Sequence, residues 1–279
     1  MRTAFLVICN MIIVTIGIGA VAQNNEETPI QDNSFLVEEA YNQDAGVVQH
    51  INTWMYMYNS REWFYTFTQE WPVPDQLNQL SYSIPVSRVH PDAQAKTGLG
   101  DIALNYRVQA YAGPVVFIAP RLTLLLPTGD YKKGVGAGSI GIQLNYAMSL
   151  ELGRYLAAHI NAGFTYTPLS KITGYWRERR QHWTLSYDFA GSLVFLAHHN
   201  FNLLVEGLCV STETVRRQGG TIRRYDYYIN PGLRFAVNHA SGLQVVPGIA
   251  FPVGFGSARG NWGFYTYLSF EHPMWKPKE

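Results

Sequence analysis

The stretch of sequence that decides the fold is SIGIQLNYAMSLELGRYLAAHINAGFTY, which occupies residues 139–166. Apolar residues fill every second position from Ile140 to Met148, and small or polar residues such as Asn145 fill the positions between them. Because successive side chains of a β-strand point to opposite faces, this period of two predicts a strand with one apolar and one polar face. The alternation resumes at Tyr155 after a break, so the stretch predicts two strands joined by a short turn.

The same alternation recurs along most of the chain, in about twelve segments whose length suits a tilted strand that crosses a bilayer. The predicted strands span residues 47–58, 63–71, 80–85, 101–111, 115–126, 139–149, 155–166, 182–195, 201–212, 225–237, 243–253 and 263–271. Lipid offers no partner to the backbone groups of an open sheet edge, so strands in a membrane must close on themselves. We therefore predict an all-β fold, a closed antiparallel transmembrane β-barrel of about twelve strands.

The connections between the predicted strands alternate between long and short from the third strand onward. The long connections span residues 86–100, 127–138, 167–181, 213–224 and 254–262, and the short ones span residues 112–114, 150–154, 197–200 and 238–242. Outer-membrane barrels have short periplasmic turns and longer outer loops. The alternation therefore favours an outer-membrane barrel over a soluble β-sandwich, which has no reason to keep it.

The polar face of the predicted strands is too rich in charged and amide side chains for a dry core, so we expect it to line a lumen. The charged candidates occupy the same alternating positions as the small or polar residues of their strands. They are Arg107, Arg121, Asp188, Glu206 and Arg234. These residues could tune the ion preference of a pore or form ion pairs that brace it. The two roles are compatible, and the sequence leaves both open.

A second basic cluster lies in the predicted outer loops. Its members could bind the phosphates of lipopolysaccharide or attract anionic solutes, because arginine holds phosphate in a bidentate manner. The alternative is a solvated loop surface. The arginines concerned are Arg177, Arg179, Arg180, Arg216, Arg217, Arg223 and Arg224.

Composition narrows the class of protein further. Charged residues make up 15% of the 279 residues, against roughly 25% in an average soluble domain. The formal net charge of +1 gives no sign of a nucleic-acid partner. Cys209 is the one cysteine outside the N-terminal apolar run, so neither a disulfide nor a metal cluster is expected. Strand counting brings no Ser–His–carboxylate set to one level, and the sequence predicts no catalytic residue, cofactor or metal.

The N-terminus has the pattern of a cleavable secretory signal peptide. Arg2 is followed by an apolar run that ends at the small residues Ala20-Val21-Ala22. We predict a signal peptide over residues 1–22, an acidic periplasmic N-terminal segment over 23–46, the barrel over 47–275 and a tail over 276–279. The segment could instead fold into the lumen, because Phe35-Leu36-Val37 and Tyr41 provide apolar anchoring points.

Three phrases of the sequence carry a resemblance to a known family. They are Gly98-Leu99-Gly100-Asp101-Ile102, Pro120-Arg121-Leu122, and Leu126-Pro127-Thr128-Gly129-Asp130 followed by Gly134-Val135-Gly136-Ala137-Gly138-Ser139. In these phrases the chain resembles the outer-membrane transporters named for the meta-pathway of phenol degradation. The resemblance implies an outer-membrane barrel that admits small, and in some cases aromatic, compounds.

These observations lead to three hypotheses. The first is an outer-membrane channel or transporter for passive uptake or efflux of small molecules. The second is an outer-membrane enzyme, either a lipid hydrolase or a protease, and the third is a structural barrel with a blocked lumen. The expected partners are outer-membrane lipid and lipopolysaccharide, a small-molecule solute and the barrel-insertion machinery of a Gram-negative cell.

Overall fold

The computed structural model describes residues 30, 34–91, 94–171, 181–216 and 218–274, and they form an all-β fold. The strands are β1 (Val47–Met57), β2 (Glu62–Trp71), β3 (Asn78–Val89), β4 (Lys96–Leu99), β5 (Ile102–Val108), β6 (Tyr111–Ala112), β7 (Val116–Leu126), β8 (Gly141–Glu151), β9 (Leu156–Lys171), β10 (Gln181–His198), β11 (Phe201–Val215), β12 (Thr221–Phe235), β13 (Val237–Asn238), β14 (Gln244–Ala250), β15 (Val253–Gly256) and β16 (Gly263–Pro273). One short 3-10 helix, Tyr131–Lys133, lies between β7 and β8. Among the described residues no helix is long and apolar enough to cross a membrane.

The strands close into the predicted antiparallel barrel of twelve strands. Neighbours in sequence pair with one another, and β1 pairs with β16 from Val47 opposite Pro273 to Met57 opposite Gly263, which closes the wall. The short strands β6, β13 and β15 continue the wall positions of β5, β12 and β14. Strand β4 forms a hairpin with β3 and continues the wall position of β5 on its other side.

Apolar and polar side chains alternate between the outer and inner faces of the wall, as the period of two predicts. On β8, Leu144 and Tyr146 are 42% and 45% exposed on the outside, whereas Asn145 is buried at 6% on the inside. The outward side chains form an apolar and aromatic surface that suits lipid, with aromatic residues such as Trp262 and Tyr155 at the two ends. Many of the inward side chains are buried polar groups, and an apolar cluster that includes Val194, Leu204 and Val246 lies beside them.

The strands next to the predicted long outer loops extend further than their alternation indicated. Strands β9 and β10 have 16 and 18 residues, and β11 and β12 have 15 each. The predicted loop 213–224 is therefore a five-residue connection, 216–220. In the outer extensions of β11 and β12 polar residues follow one another, as in Glu213-Thr214 and Arg223-Arg224, so the alternation from which the boundaries were predicted is absent there.

Asp101 explains most of the glycine-rich phrases that carry the family resemblance. Its carboxylate accepts the backbone N–H groups of Gly129 and Ala137, at 2.9 and 2.8 Å. A Cβ atom on Gly129 would lie 2.8 Å from the backbone carbon of Gly100, and one on Gly136 would lie 2.7 Å from the same carboxylate. The phrases therefore form a backbone clamp that ties the β7–β8 outer loop to the start of β5.

Candidate functional site

The lumen contains the N-terminal segment, residues 34–46, which bends at residues 35–37 and at Ala40 before β1 begins. Most of its backbone groups from residue 35 to residue 43 bond to side chains of the barrel wall rather than to another strand. Glu38 illustrates the pattern, because its N–H donates to Asn161 Oδ1 at 2.7 Å and its carbonyl accepts from Asn161 Nδ2 at 2.9 Å. Ala40 is held in the same way, by Ser149 Oγ at its N–H and by Gln109 Nε2 at its carbonyl.

Glu206 on β11 binds the start of this path. One oxygen of its carboxylate accepts the consecutive N–H groups of Phe35, Leu36 and Val37 at 3.0, 2.9 and 3.0 Å. The other oxygen accepts from Asn230 Nδ2 at 2.6 Å. The side chain is fully buried, so these four hydrogen bonds replace the water that the carboxylate would otherwise bind.

The apolar anchoring points of the segment contact the wall directly. A Cβ atom on Gly248 would lie 2.5 Å from a ring atom of Phe35, and one on Gly232 would lie 2.6 Å from another, so two neighbouring glycines form a slot for this ring. Tyr265 and Tyr267 flank the ring with centroids 5.5 Å away. Further along, the ring of Tyr41 packs edge-on against Phe117 at 4.8 Å.

Two glutamates of the segment bind two of the predicted lumen arginines. Glu38 makes a two-point contact with the guanidinium of Arg121, and Glu39 contacts Arg234 at 3.1 Å. Burial alone would raise the pKa of Glu38, but the charges of Arg121 and Arg107 outweigh it and hold that pKa below its ordinary value. The Glu38 carboxylate is therefore ionised at neutral pH, as its ion pair requires.

The structure places all five predicted lumen residues on the inner face. Arg107 is 4% exposed and donates to the carbonyls of Glu39 and Tyr41, so it holds the segment by its backbone. Asp188 lies beside Gly163 on the neighbouring strand and interacts electrostatically with Glu38 and Arg121. The charged inner face is thus concentrated around the segment.

Residues of the segment line two cavities of the lumen that have no lining residue in common. The periplasmic-side cavity, about 660 Å³, is lined by Glu39, Tyr41 and the short turns near Arg154 and His198. The outer-side cavity, about 340 Å³, is lined by the other side of the segment and by β1, β2, β3, β5, β7 and β16. The segment therefore lies between these two cavities.

The predicted outer basic cluster is only partly described. Arg177, Arg179, Arg180 and Arg217 lie outside the described residues. Arg216 is exposed on the β11–β12 connection, but Arg223 and Arg224 lie within β12 and not in a loop, because the strand extends outward. Arg223 lies 3.3 Å from Glu213 and stacks over Tyr187, so part of its charge is already balanced.

The structure also corrects the expectation that no serine, histidine and carboxylate come together. His159 Nδ1 lies 2.8 Å from Ser149 Oγ, and its Nε2 lies 3.5 Å from Glu39. Counting along the strands missed this arrangement of Ser149, His159 and Glu39, because Glu39 belongs to the segment and not to a strand. Ser149 is fully buried, and its oxygen accepts the N–H of Ala40. No substrate can therefore reach this oxygen while the segment is bound.

Comparison with solved structures agrees with this architecture. The crystal structure of an outer membrane channel from Pseudomonas putida F1 aligns with a TM-score of 0.60 at 12% identity, over 83% of this chain and 97% of that chain. A porin named NanC aligns with a TM-score of 0.51 at 8% identity, over 81% of this chain and 98% of that chain. At these identities the likeness concerns the fold. No curated protein matches the sequence.

The closed wall, the apolar outer face and the largely polar interior together define a membrane β-barrel with the fold of outer-membrane channels. The sequence places it more narrowly. A family profile described as "MetA-pathway of phenol degradation" matches residues 31–272, and the chain belongs to this family. The match includes the N-terminal segment as well as the barrel, so the segment is part of what the family profile describes.

Proposed function

We propose that the protein is an outer-membrane channel for passive uptake or efflux of small solutes, and that its own N-terminal segment closes it. The observation that carries this proposal is the position of the segment between two cavities of the lumen. The segment precedes β1 and contributes no strand to the wall. It could therefore leave the lumen without breaking a hydrogen bond between wall strands, and the two cavities would join.

The charged lumen residues would then have two roles in succession. While the segment is bound, Arg107, Arg121, Glu206 and Arg234 hold it. When it leaves, the same side chains and Asp188 face the open path and set its ion preference, as charged rings do in other pores. Neutralising Arg234 to Gln should shift the reversal potential in a salt gradient toward cations, and Asp188→Asn should shift it toward anions.

Other parts of the proposal concern export and the outer surface. A signal peptide removed after Ala22 would direct the chain to the periplasm, where the barrel-insertion machinery would receive it. Exposed arginines at the outer ends of the strands, such as Arg216 and Arg224, would contact the phosphates of lipopolysaccharide. They should affect selectivity less than the lumen residues, because salt screens exposed charges beyond about 8–10 Å.

A structural barrel with a permanently blocked lumen is the second candidate, favoured by the many bonds that hold the segment. An enzyme is a weaker third, because the Ser149 oxygen is buried under the segment. Conductance of the purified protein in planar bilayers separates the first two. The channel proposal expects openings in the wild type that become more frequent when docking of the segment is weakened. Complete silence of the wild type and of every weakened variant would favour the blocked barrel.

A further inference from the structure

The outer-side cavity has a cationic edge and an apolar side. Arg107 and Arg121 line the edge, and Leu36, Ile51 and Phe64 line the apolar side. Its volume of about 340 Å³ lies within the range of sites that bind small molecules. These features suit a small solute that has an apolar body and one anionic group.

The barrel wall holds Arg121 in place independently of the segment. Nη1 donates to Asn105 Oδ1 and to Thr123 Oγ1, both at 2.8 Å, and Nη2 donates to Gln143 Oε1 at 3.3 Å. The guanidinium is therefore already oriented, with its Nε and Nη2 edge turned to the lumen. That edge has the fork geometry that binds a carboxylate through two parallel hydrogen bonds.

The carboxylate of Glu38 occupies this fork, but the contact is not sealed from the lumen. The side chains of Arg121 and Glu38 are 17% and 27% exposed, and both line the outer-side cavity. The neighbouring pair of Arg234 and Glu39 is only 1% and 4% exposed and faces the other cavity. A solute in the outer-side cavity can therefore compete with the Glu38 carboxylate for Arg121.

We propose that the outer-side cavity binds a small monocarboxylate with an apolar body, whose carboxylate replaces that of Glu38 on Arg121. The exchange leaves the charge around Arg121 unchanged. A second carboxylate on the solute is disfavoured by Asp188, which interacts with the pair, and by Glu70, which lines the cavity. This inference rests on the proposed channel function, in which such a solute releases the middle of the segment and so promotes opening.

Competition between the tethered and the free carboxylate gives a measurable consequence. In the wild type, Glu38 competes at an effective concentration in the millimolar range or above. Glu38→Gln removes that competitor and leaves the fork of Arg121 intact, so benzoate should bind at least about tenfold more tightly. Glu213→Gln is the matched control, because it makes the same chemical change near the outer end of the wall, away from the segment, Arg121 and the outer-side cavity. Its affinity for benzoate should equal that of the wild type.

The experiment is isothermal titration calorimetry of the full chain in detergent, with benzoate and with benzamide as its uncharged counterpart. Benzamide should not bind, and adding Arg121→Gln to Glu38→Gln should abolish benzoate binding. Equal benzoate affinity in the wild type, Glu38→Gln and Glu213→Gln, or equal binding of benzamide, would overturn the inference. Calorimetry needs no conduction, so a protein that conducts without binding benzoate refutes this inference and leaves the channel function standing. A protein that binds benzoate through Arg121 but never conducts supports the site and refutes the channel.

Discussion

Replacing Glu206 with glutamine should loosen the N-terminal segment without changing the shape of the wall. Glutamine keeps an oxygen for the three N–H groups of Phe35, Leu36 and Val37 that Glu206 now accepts. It removes the negative charge that strengthens these bonds. The variant therefore tests how strongly the carboxylate itself holds the segment.

The size of the effect follows from the number of bonds. A hydrogen bond to a charged group contributes about 1.5–3 kcal/mol and one between neutral groups about 0.5–1.5 kcal/mol, so each of the three bonds loses about 1 kcal/mol. Part of this loss is offset, because a neutral amide costs less to bury than a carboxylate when the segment docks. We expect a net weakening of docking by about 2 kcal/mol, which is about a 30-fold increase in the undocked population.

The assay measures how often the buried start of the segment is exposed. Ser34 is fully buried against Ser192, and the thiol introduced by Ser34→Cys should react with a maleimide only when the segment leaves. The background carries Cys209→Ala, which removes the free cysteine of the described residues. The labelling rate should rise about 30-fold on adding Glu206→Gln, in proportion to the undocked population.

Glu213→Gln is the matched control. This carboxylate accepts from Leu185 N and Thr221 Oγ1 at 2.8 and 2.6 Å, near the outer end of the wall and away from the segment. It should leave the labelling rate unchanged. Equal rates for Glu206→Gln and the wild type, or the same increase in both variants, would refute the reasoning that the buried carboxylate holds the segment.

Three further predictions concern the slot, the wall and the outer loop. Gly248→Ala should displace Phe35, whose ring lies 2.5 Å from the position of the new Cβ, and should therefore speed the same labelling reaction. In a Phe35→Ala background, adding Gly248→Ala should not increase the labelling rate further. Leu144→Arg should lower the free energy of unfolding in detergent–lipid by about 2–4 kcal/mol, because it faces lipid, whereas Thr165→Arg on the lumen face should cost clearly less. Asp101→Ala should release the outer loop and lower stability by about 1–3 kcal/mol, measured by denaturant titration, since two backbone N–H groups lose a charged acceptor.

The barrel itself could be predicted from the sequence because lipid imposes a strict rule on each strand. A residue such as Leu144 faces lipid and Asn145 faces the lumen for reasons that depend only on their parity. The outer end of β10 was placed to within one residue, but those of β9, β11 and β12 were not. Polar residues follow one another in the last two, as in Glu213-Thr214 and Arg223-Arg224, so the alternation is lost there.

The location of the N-terminal segment could not be settled from the sequence for a different reason. Its bonds join residues far apart along the chain, such as Glu38 with Asn161 and Phe35 with Glu206. No local period records such contacts, because the segment takes its hydrogen bonds from side chains of separate strands. The sequence signal that pointed to it was the presence of apolar residues in an otherwise polar segment, Phe35-Leu36-Val37 and Tyr41.

The same inner face serves the wall and the segment, but the two rest on separate sets of bonds. Backbone ladders between neighbouring strands hold the wall, whereas side chains such as Glu206, Asn161 and Gln109 hold the segment. A substitution of one of these side chains can therefore weaken docking while the ladders stay intact. This separation is what a channel closed by its own chain needs, since opening must not unfold the barrel. It also means that stability measurements and labelling measurements should respond to different residues, with Leu144 affecting the first and Glu206 the second.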